Sequence, residues 1–484
     1  MTRILPTDIT SMTASQLSEA IREKRVSCVE VMQAYLERIH RYNPVYNAIV
    51  SLAGDDELLR QSKLADAELA AGNYRGWMHG IPHAVKDNSN ARGLPTTHGS
   101  RLHVEAIAES DDVPIERIRA AGAIFIGKTN VPEFALGSQT YNDVFGATRN
   151  AYDPLLTAGG SSGGAATALA AQLLPVSDGT DFMGSLRNPA GFCNVVGFRP
   201  SFGRVPRTPD DLFYNQLSTN GPMGRNVEDT MRLLATMAGY DARSPLTMFA
   251  EQPGYETSNA ASLDDIRIAW LGNYEGYLAI EPGILELCEQ TLEDLQTEGA
   301  EVEATRLDFD MDRLWQALLT LRHWSHTARQ PLLEDKRSRA LLKPEMIWEI
   351  EGSLNVTAST LSVAAGVRAE WYRALLSLFQ HFDVLALPTS QVFPFSLDIH
   401  WPSSINGRSM DTYHRWIEIG LAATLAGVPA VNLPAGFDAA GRPMGVQIIG
   451  PPGQDQRVLE FAMAYEAVTD HLDQHPNLID RLDA

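Results

Sequence analysis

The chain has 484 residues, of which 44% are hydrophobic and 20% are charged, so it is long and apolar enough to fold around a large core. A net charge of −21 argues against nucleic-acid binding, because contacts with phosphates require clustered Lys and Arg. No apolar run approaches the length of a transmembrane helix, so we expect no contact with a membrane.

The cysteines and the amino terminus predict where the protein works. Cys28, Cys193 and Cys288 are few, odd in number and widely spaced, which indicates free thiols in a reducing compartment rather than a disulfide framework. Residues 1–8 lack the apolar run of a secretory leader. Together these features predict a cytoplasmic protein.

The first part of the chain has the pattern of helices. Two capping boxes, Thr13 with Gln16 and Ser27 with Glu30, mark helix starts. The second helix carries an apolar stripe at helical spacing, which predicts that one of its faces is buried. The stripe consists of Val31, Met32, Tyr35, Leu36 and Ile39. The dipeptide at 43–44, Asn-Pro, is predicted to end this helix.

Predicted strands and helices alternate from residue 80 onward, which favours an α/β sheet with helices on both faces. The predicted helices are 57–71, 113–121 and 283–298, and the predicted strands are 81–85, 123–127, 173–177, 266–271 and 302–307. Residues 308–382 have a mainly helical pattern and are rich in tryptophan. We expect those tryptophans in the core, namely Trp315, Trp324, Trp348 and Trp371.

Two glycine-rich stretches hold the serines that matter most for function. The first covers 159–164, Gly-Gly-Ser-Ser-Gly-Gly, and the second covers 179–185, Gly-Thr-Asp-Phe-Met-Gly-Ser. Four glycines in six positions destabilise a regular element unless unusual dihedral angles or a close approach require them. An alanine-rich helix former follows the first stretch, which predicts that Ser161 or Ser162 lies among the free N–H groups of a helix start.

The residue types alone leave two interpretations of these stretches. A serine in a glycine turn, with an exposed hydroxyl and backbone N–H groups nearby, can supply a nucleophile and an oxyanion hole. The alternative is a loop that only allows a helix and a strand to pack closely. A phosphate-binding loop is disfavoured, because no Gly-Lys-Ser/Thr ends the first stretch and no G-x-G-x-x-G follows a predicted strand.

The two stretches, together with Lys86 in the apolar segment 81–88, resemble the amidase signature family. Weaker matches follow in the family's order, at Thr129–Phe134, Phe145–Asn150, Asp383–Pro388, Gly427–Pro434 and Gly441–Gly450. The resemblance implies a large mixed β-sheet core with helices on both faces and a helical N-terminal segment. It also implies hydrolysis of amide bonds by a Ser–cis-Ser–Lys triad.

The resemblance implies a role for each triad residue. Ser185 matches the nucleophile, Lys86 the general base, and Ser161 the bridging serine, which follows a cis peptide bond from Gly160. A lysine with its ordinary pKa of about 10.4 is too fully protonated to act as a base, and burial in the apolar strand lowers that pKa. Asp87 would oppose the shift, but neighbouring side chains of a strand point to opposite faces.

The residues around the nucleophile are expected to complete the site. Backbone N–H groups are the implied oxyanion donors, and they belong to Phe182, Met183, Gly184 and Ser185. Many members of the family have two glycines immediately before the nucleophile, where this chain has Phe-Met-Gly before Ser185. Two bulky side chains there predict a tighter, more apolar pocket, unless both point into the core. The supporting residues are Ser162, Asp181 and Arg187, and we expect Arg187 to anchor Asp181 or a nearby carbonyl rather than to contact substrate.

We therefore predict an amidase that hydrolyses a small hydrophobic or aromatic carboxylic amide, through a Ser185 acyl-enzyme, to an acid plus an amine or ammonia. The alternatives are a carbamate, ester or aryl acylamide hydrolase with the same triad, or a glutaminase-type subunit of a tRNA amidotransferase. No cofactor or metal is expected, because the histidines are scattered and no C-x-x-C or H-E-x-x-H spacing occurs. The expected binding partner is a small-molecule amide, and we expect no binding to nucleic acid or membrane. A homodimer is one possible assembly.

The chain is predicted to form a single amidase domain over 1–484. Within it we distinguish a helical N-terminal segment at 1–75 and a catalytic signature core at 76–307. Residues 308–382 form a mainly helical segment that either belongs to the core or covers the site. Residues 383–484 form the C-terminal part of the core.

Overall fold

The structure is a computed structural model that describes residues 8–214, 216–249, 259–264 and 266–482. Residues 1–7, on which the prediction of no secretory leader mainly rests, lie outside the described residues. Within the described ranges, each helix is too short or too polar to cross a membrane.

The helices and strands are numbered in chain order. The α-helices are α1 (Ala14–Arg22), α2 (Cys28–Tyr46), α3 (Asp55–Ala70), α4 (Val113–Ala120), α5 (Gly163–Ala170), α6 (Arg187–Phe192), α7 (Val227–Met237), α8 (Ile284–Thr297), α9 (Met311–Trp324), α10 (Pro331–Glu334), α11 (Lys336–Leu341), α12 (Pro344–Ser353), α13 (Ala358–Leu378), α14 (Leu421–Ala426) and α15 (Asp455–Val468). The strands are β1 (Ile49–Val50), β2 (Pro82–Lys86), β3 (Ile124–Thr129), β4 (Val176–Asp181), β5 (Val196–Arg199), β6 (Thr219–Gly224), β7 (Arg267–Trp270), β8 (Glu301–Ala304), β9 (Val384–Pro388), β10 (Ser404–Ile405), β11 (Arg408–Ser409), β12 (Ala430–Phe437) and β13 (Pro443–Ile449).

The N-terminal helices begin where the sequence predicts. Both capping boxes are present, and the stripe of α2 is buried. The prediction that α2 ends at Asn-Pro is wrong by about one turn, because Pro44 lies inside the helix. Asn47 ends it instead, in the left-handed conformation with φ of 48° that asparagine tolerates at a helix end.

The core is an eight-stranded mixed sheet in the order β4-β6-β5-β12-β13-β9-β7-β8. The pairs β7–β8 and β7–β9 are parallel, and the other neighbours are antiparallel. A second sheet has the order β1-β3-β2. Its strand β2 reaches β4 at the edge of the large sheet, where the backbone N–H of Lys86 donates to Asp178 Oδ1 at 3.2 Å.

Both faces of the large sheet are covered, as alternation along β9 demonstrates. Val384 and Ala386 belong to one apolar cluster, which helices α7, α8 and α15 complete. Leu385 and Leu387 belong to the cluster on the opposite face, with α9, α13 and α14. Successive side chains of a strand point to opposite faces, so β9 contributes to both clusters. The predicted α/β class, with helices on both faces of a mixed sheet, is confirmed.

One predicted strand lies in the wrong place, and the error concerns the site. The sequence predicts a strand at 173–177, but β4 runs from Val176 to Asp181 and all six of its residues are buried. Its second half is polar, which resembles a loop in sequence. Polar side chains can be buried in a strand only when they have hydrogen-bond partners. Those partners come from distant parts of the chain.

The predicted tryptophan core is only partly correct. Trp315 and Trp371 are fully buried on the α9–α13 side of the sheet. Trp324 is half-buried and lines a cavity. The prediction is wrong for Trp348, which is 37% exposed. Its ring contacts the rings of His323 and Tyr413.

Candidate active site

Lys86 ends strand β2 and is completely buried. Its Nζ lies 2.9 Å from Ser161 Oγ, 2.8 Å from Ser162 Oγ and 2.8 Å from Thr180 Oγ1. Within the described ranges, no carboxylate comes within ion-pair distance of it. Burial lowers the pKa of Lys86 to about 7, while Asp178 and Asp181 oppose that shift from farther away.

The surroundings of Lys86 suit a neutral amine. A neutral amine has two N–H donors and one lone pair, so it can donate to two of the neighbouring oxygens and accept from a third hydroxyl. Asp87, the next residue, points away and accepts hydrogen bonds from the N–H groups of Thr97 and Gly99. The predicted opposite orientation of Lys86 and Asp87 is therefore present.

Ser161 and Ser162 immediately precede helix α5, as the glycine-rich stretch predicts. The peptide bond between Gly160 and Ser161 is cis. The glycines are required by close contacts: a Cβ on Gly164 would lie 2.3 Å from the backbone nitrogen of Asn130. Asn188 Oδ1 accepts the Gly160 N–H at 3.2 Å and so ties this loop to helix α6.

Ser185 lies in the turn between β4 and α6. Its carbonyl accepts the N–H of Ser162 at 3.2 Å, which holds the two serine loops together. Its hydroxyl faces a cavity that Ser161 also lines. Among the described residues, neither Ser161 nor any other side chain is hydrogen-bonded to the Ser185 hydroxyl, which leaves it accessible from the cavity.

Asp181 fixes the turn that carries Ser185. Arg187 binds it through Nε and Nη2, both at 3.1 Å, which is the predicted contact, and Arg199 Nη1 adds a third bond at 3.0 Å. Burial by itself would raise the pKa of the Asp181 carboxyl, but Arg187 and Arg199 lower it below its usual value. Asp181 is therefore a buried carboxylate, paired on both sides.

The same carboxylate limits which N–H groups can stabilise an oxyanion. Gly184 N–H donates to Asp181 Oδ1 at 2.9 Å, so it is already used. In the part of the chain that the structure describes, the N–H groups of Phe182, Met183 and Ser185 have no acceptor. Of the four predicted donors, these three fit the observed conformation and Gly184 does not.

Two cavities lie near the turn that carries Ser185, and Ser185 itself lines the first of them. The first, the polar chamber, has a volume of about 440 Å³ and a wall of mixed charged and polar groups. Its wall includes Ser161, Ser185, Asp112, Arg207, Asp210, His326 and Arg329. The second, the apolar groove, has a volume of about 730 Å³. Its wall includes Tyr214, Leu217, Leu321, Trp324, Leu361 and Ala365. Phe182 and Ser325 line both spaces.

Phe182 and Met183 have different surroundings. Phe182 separates the chamber from the groove, and the guanidinium of Arg322 lies 5.0 Å from the centre of its ring. Met183 is 3% exposed, and it packs in the apolar cluster on the α9–α13 side of the sheet. The prediction that both side chains shape the pocket is therefore wrong for Met183, whose side chain points into the core.

Three supporting residues escape prediction from the sequence. Thr180 accepts from Lys86, Asp178 accepts the Lys86 backbone N–H and binds His83 at 3.0 Å, and Arg199 completes the binding of Asp181. Thr180 lies in the second glycine-rich stretch and Asp178 directly precedes it, so alternation along a strand could have indicated them. Arg199 gives no signal, because its partner is fixed only by the sheet.

Comparisons with known proteins agree with this geometry. The Amidase family model matches residues 30–459. A glutamyl-tRNA(Gln) amidotransferase subunit of Coxiella burnetii is 32% identical, over 96% of this chain and 99% of its own length. An acylamidase of Rhodococcus erythropolis is 31% identical, over 96% of this chain and 97% of its own length.

Solved structures give the same result. A bacterial aryl acylamidase of the amidase signature enzymes superimposes with a TM-score of 0.89 at 26% identity, over 96% of this chain and 98% of that one. A glutamyl-tRNA(Gln) amidotransferase subunit of Thermotoga maritima gives 0.75 at 27% identity, over 96% of both chains. With the family model over most of its length, this chain belongs to the amidase family, as an amidohydrolase of the amidase signature type.

Proposed function

We propose that the protein hydrolyses carboxylic amides through a covalent acyl-enzyme on Ser185. The observation that carries this proposal is Lys86, a buried amine surrounded by hydroxyl and carbonyl oxygens, with its pKa lowered by burial to about 7. A serine hydroxyl is a weak nucleophile and needs a base near enough to take its proton. Ser161, which lines the same cavity as Ser185, is the group that connects it with Lys86.

Each step of the proposed reaction transfers protons through Ser161, between Lys86 and the reacting atoms. Ser185 Oγ forms a bond to the carbonyl carbon, while its proton passes to Ser161 and the Ser161 proton passes to Lys86. The C–N bond then breaks while Lys86 returns its proton to Ser161 and Ser161 donates its own proton to the leaving nitrogen. Water attacks the resulting ester in the same way and releases the acid and free Ser185. The remaining link, from Ser185 to Ser161, would form when substrate fills the chamber, since such contacts often tighten only in the complex.

The oxyanion of the tetrahedral intermediate needs donors that are not already used. We assign this role to the N–H groups of Phe182, Met183 and Ser185. They lie in a turn that Asp181 holds rigid through Arg187 and Arg199. Preorganised donors of this kind stabilise developing charge without reorganising during the reaction.

The apolar groove supports a hydrophobic or aromatic substrate arm. It adjoins Ser185 across Phe182, and its wall carries Trp324 and aliphatic side chains. Burying an aromatic ring in such a groove stabilises the complex by roughly 25 cal/mol for each Å² removed from water. The structural similarity to the bacterial aryl acylamidase, at TM-score 0.89, favours the same substrate class.

A second candidate is a glutaminase-type role within a larger assembly, because one relative at 32% identity is named as part of a glutamyl-tRNA(Gln) amidotransferase. A carbamate or ester hydrolase with the same serines is a variant of the first candidate. The purified chain should be assayed alone on an anilide, a matched ester, a carbamate and glutamine. Anilide turnover by the chain alone supports the proposal, whereas glutamine turnover that requires co-purifying partners supports the second candidate.

We predict that Ser185→Ala abolishes amide turnover, with a loss of at least about 10³-fold, and leaves the fold intact because only one hydroxyl is removed. The wild-type protein should react with a sulfonyl fluoride at Ser185, as located by mass spectrometry of the labelled peptide. Ser177→Ala, a serine of strand β4 outside the cavity, is the matched control. Full activity of Ser185→Ala, or labelling of another serine, would show that the nucleophile is wrongly assigned.

A cytoplasmic location is also our inference. It rests on Cys28, Cys193 and Cys288, which are all free and buried. Free, sparse cysteines are typical of proteins from a reducing compartment. Fractionation of the source cells, followed by detection of the protein in each fraction, tests it directly.

A further inference from the structure

Two arginines in the wall of the polar chamber take no part in the proposed reaction. Arg207 and Arg329 line the same space as Ser161 and Ser185, and both side chains are half-buried. Arg207 Nη1 donates to the carbonyl of Ser218 at 2.8 Å, which anchors the guanidinium. The guanidinium of Arg329 lies 5.6 Å from the ring centre of Phe134, which supports it from one side.

Neither arginine has an ion-pair partner within 4.0 Å among the described residues. This distinguishes them from Arg322, a third arginine of the chamber, which is bound by Glu349 and by the hydroxyl of Tyr413. Arg207 uses one of its nitrogens, and Arg329 makes one long contact, 3.4 Å, to His326. Most of their N–H donors therefore have no partner among the described residues. An arginine that is partly removed from water is stabilised by an anionic partner.

The other titratable groups of the chamber do not replace such an anion. Asp112 accepts the backbone N–H of Asn90 at 2.9 Å and influences Arg207 only from beyond ion-pair distance. Asp210 is exposed to solvent, and it influences Arg329 from a similar range. Burial lowers the pKa of His98 to about 4 and that of His326 to about 3, so both rings are neutral near pH 7.

We infer that the substrate carries a carboxylate, which two arginines of the polar chamber, Arg207 and Arg329, attract into that chamber while the scissile amide lies at Ser185. This inference rests on the proposed amidase function and names its substrate class. Arginine forms charge-assisted and often bidentate hydrogen bonds with carboxylates. With the apolar arm in the groove beyond Phe182, the substrate is an amide with one hydrophobic arm and one acidic arm.

Two series of synthetic amides test this inference with the full-length protein. In the first, the charge lies on the acyl arm: pentananilide, glutaric acid monoanilide and 5-aminopentananilide. In the second, it lies on the amine arm: N-propyl phenylacetamide, N-phenylacetyl-β-alanine and N-(2-aminoethyl)phenylacetamide. We expect the carboxylate member of at least one series to exceed its neutral and ammonium counterparts in kcat/KM by about tenfold or more.

Variants of the two arginines assign that preference to the chamber. Arg207→Gln and Arg329→Gln should each lower kcat/KM for the preferred carboxylate by about tenfold or more, mainly through KM, and should affect the neutral member far less. Arg329→Lys should retain part of the preference, because lysine keeps the positive charge but lacks the planar, two-pronged donor geometry of the guanidinium. Arg337→Gln, an exposed arginine on α11, is the matched control and should change nothing.

The outcomes separate this inference from the proposed function. Turnover of neutral amides without a carboxylate preference, or equal losses for all members in the arginine variants, overturns the inference and leaves the amidase function standing. If the wild type turns over no amide, the proposed function fails. Calorimetric titration of Ser185→Ala with glutaric acid monoanilide and N-phenylacetyl-β-alanine then decides the inference. Binding of either ligand that becomes about tenfold weaker when Arg329→Gln is added supports the inference. If neither ligand binds, or if Arg329→Gln leaves binding unchanged, the inference is overturned.

Discussion

At the scale of single residues, reactivity depends on how Lys86 is buried. Three hydroxyl groups surround its Nζ, and the nearest acids, Asp178 and Asp181, act on it only from a distance. The hydroxyls satisfy the hydrogen bonds of a neutral amine without favouring its charged form as strongly as a carboxylate would. A buried lysine in this setting can take a proton near neutral pH.

We predict that kcat/KM rises with pH through about 7 and then levels off. The base must be neutral, and the pKa of Lys86, lowered by burial to about 7, means that its neutral fraction grows above that pH. The histidines of the chamber, with pKa values of about 4 and 3, change charge well below this range. A pH profile of kcat/KM on an uncharged anilide measures the rise.

Asp178→Asn identifies the group that titrates. Asp178 raises the pKa of Lys86, so its neutralisation should move the rise in kcat/KM to lower pH. A profile that stays in place, or moves to higher pH, would assign the titration to another group. A melting curve of the variant checks that the loss of the bonds to His83 and to the Lys86 backbone has not unfolded the site.

At the scale of elements, the turn from β4 to α6 places adjacent side chains in opposite environments. Phe182 faces the two cavities, while Met183 packs in the core. Asp181 sets this turn because it binds N–H groups on both sides of the nucleophile, at Gly184 and Leu186. The geometry of the turn, rather than the size of the side chains, thus decides which residue can influence substrate choice.

Substitutions at the two positions should therefore have different effects. Met183→Ala is expected to destabilise the protein by about 2–5 kcal/mol, because it leaves a cavity in the core, without changing the ranking of substrates. Phe182→Ala should reduce kcat/KM for an anilide relative to a short aliphatic amide, because it removes part of the groove wall, and should cost less stability. Urea denaturation and parallel kinetics on both amides measure the two effects. An altered substrate ranking in Met183→Ala alone would contradict this assignment.

At the scale of the whole molecule, the large sheet and the helical segment enclose the site from two sides. The loops at β4 and α5 supply the serines, and residues 322–329 form the opposite wall of the chamber. Glu349 of α12 fixes that wall: it binds Arg322, accepts from Tyr413 at 2.5 Å and contacts His323 at 3.1 Å. The wall therefore depends on one buried carboxylate.

We predict that Glu349→Gln destabilises the protein by about 3–5 kcal/mol, because Arg322 is left buried without its counter-charge. Burial by itself would raise the pKa of Glu349, but Arg322 and His323 hold it well below its usual value. Its stabilisation is thus present above the unfolded pKa of about 4.3 and is lost as the pH falls toward the folded value. Urea denaturation between pH 3 and 7 should show a flatter acid-side decline in the variant.

A second ion pair of helix α9 provides the control. Arg313 of α9 binds Glu370 of α13 at the surface, where both side chains are nearly half exposed. Glu370→Gln should change the denaturation midpoint far less than Glu349→Gln, because exposed ion pairs are screened by water. Equal effects of the two substitutions would show that burial of Glu349 adds no stability.

The sequence by itself determined the elements whose signals are local. Capping boxes and apolar stripes depend on neighbours three and four residues away, so the starts of α1 and α2 and the alternation of strands and helices could be predicted. The triad candidates followed from the resemblance of the two glycine-rich stretches and Lys86 to the amidase signature family, whereas the residue types alone left a packing role open.

Only the tertiary structure decided the features that depend on distant partners. The sequence of strand β4 appears too polar for a buried strand. Its polar side chains can be buried because Lys86, Arg187 and Arg199 are their hydrogen-bond partners in the folded structure. Met183 and Phe182 are both large and apolar, and only the conformation of the turn places Met183 in the core and Phe182 at the cavity. Arg207 and Arg329, 122 residues apart, line one cavity because the fold brings their two loops together there. Burial and charge are properties of the assembled core, so no local pattern can specify them.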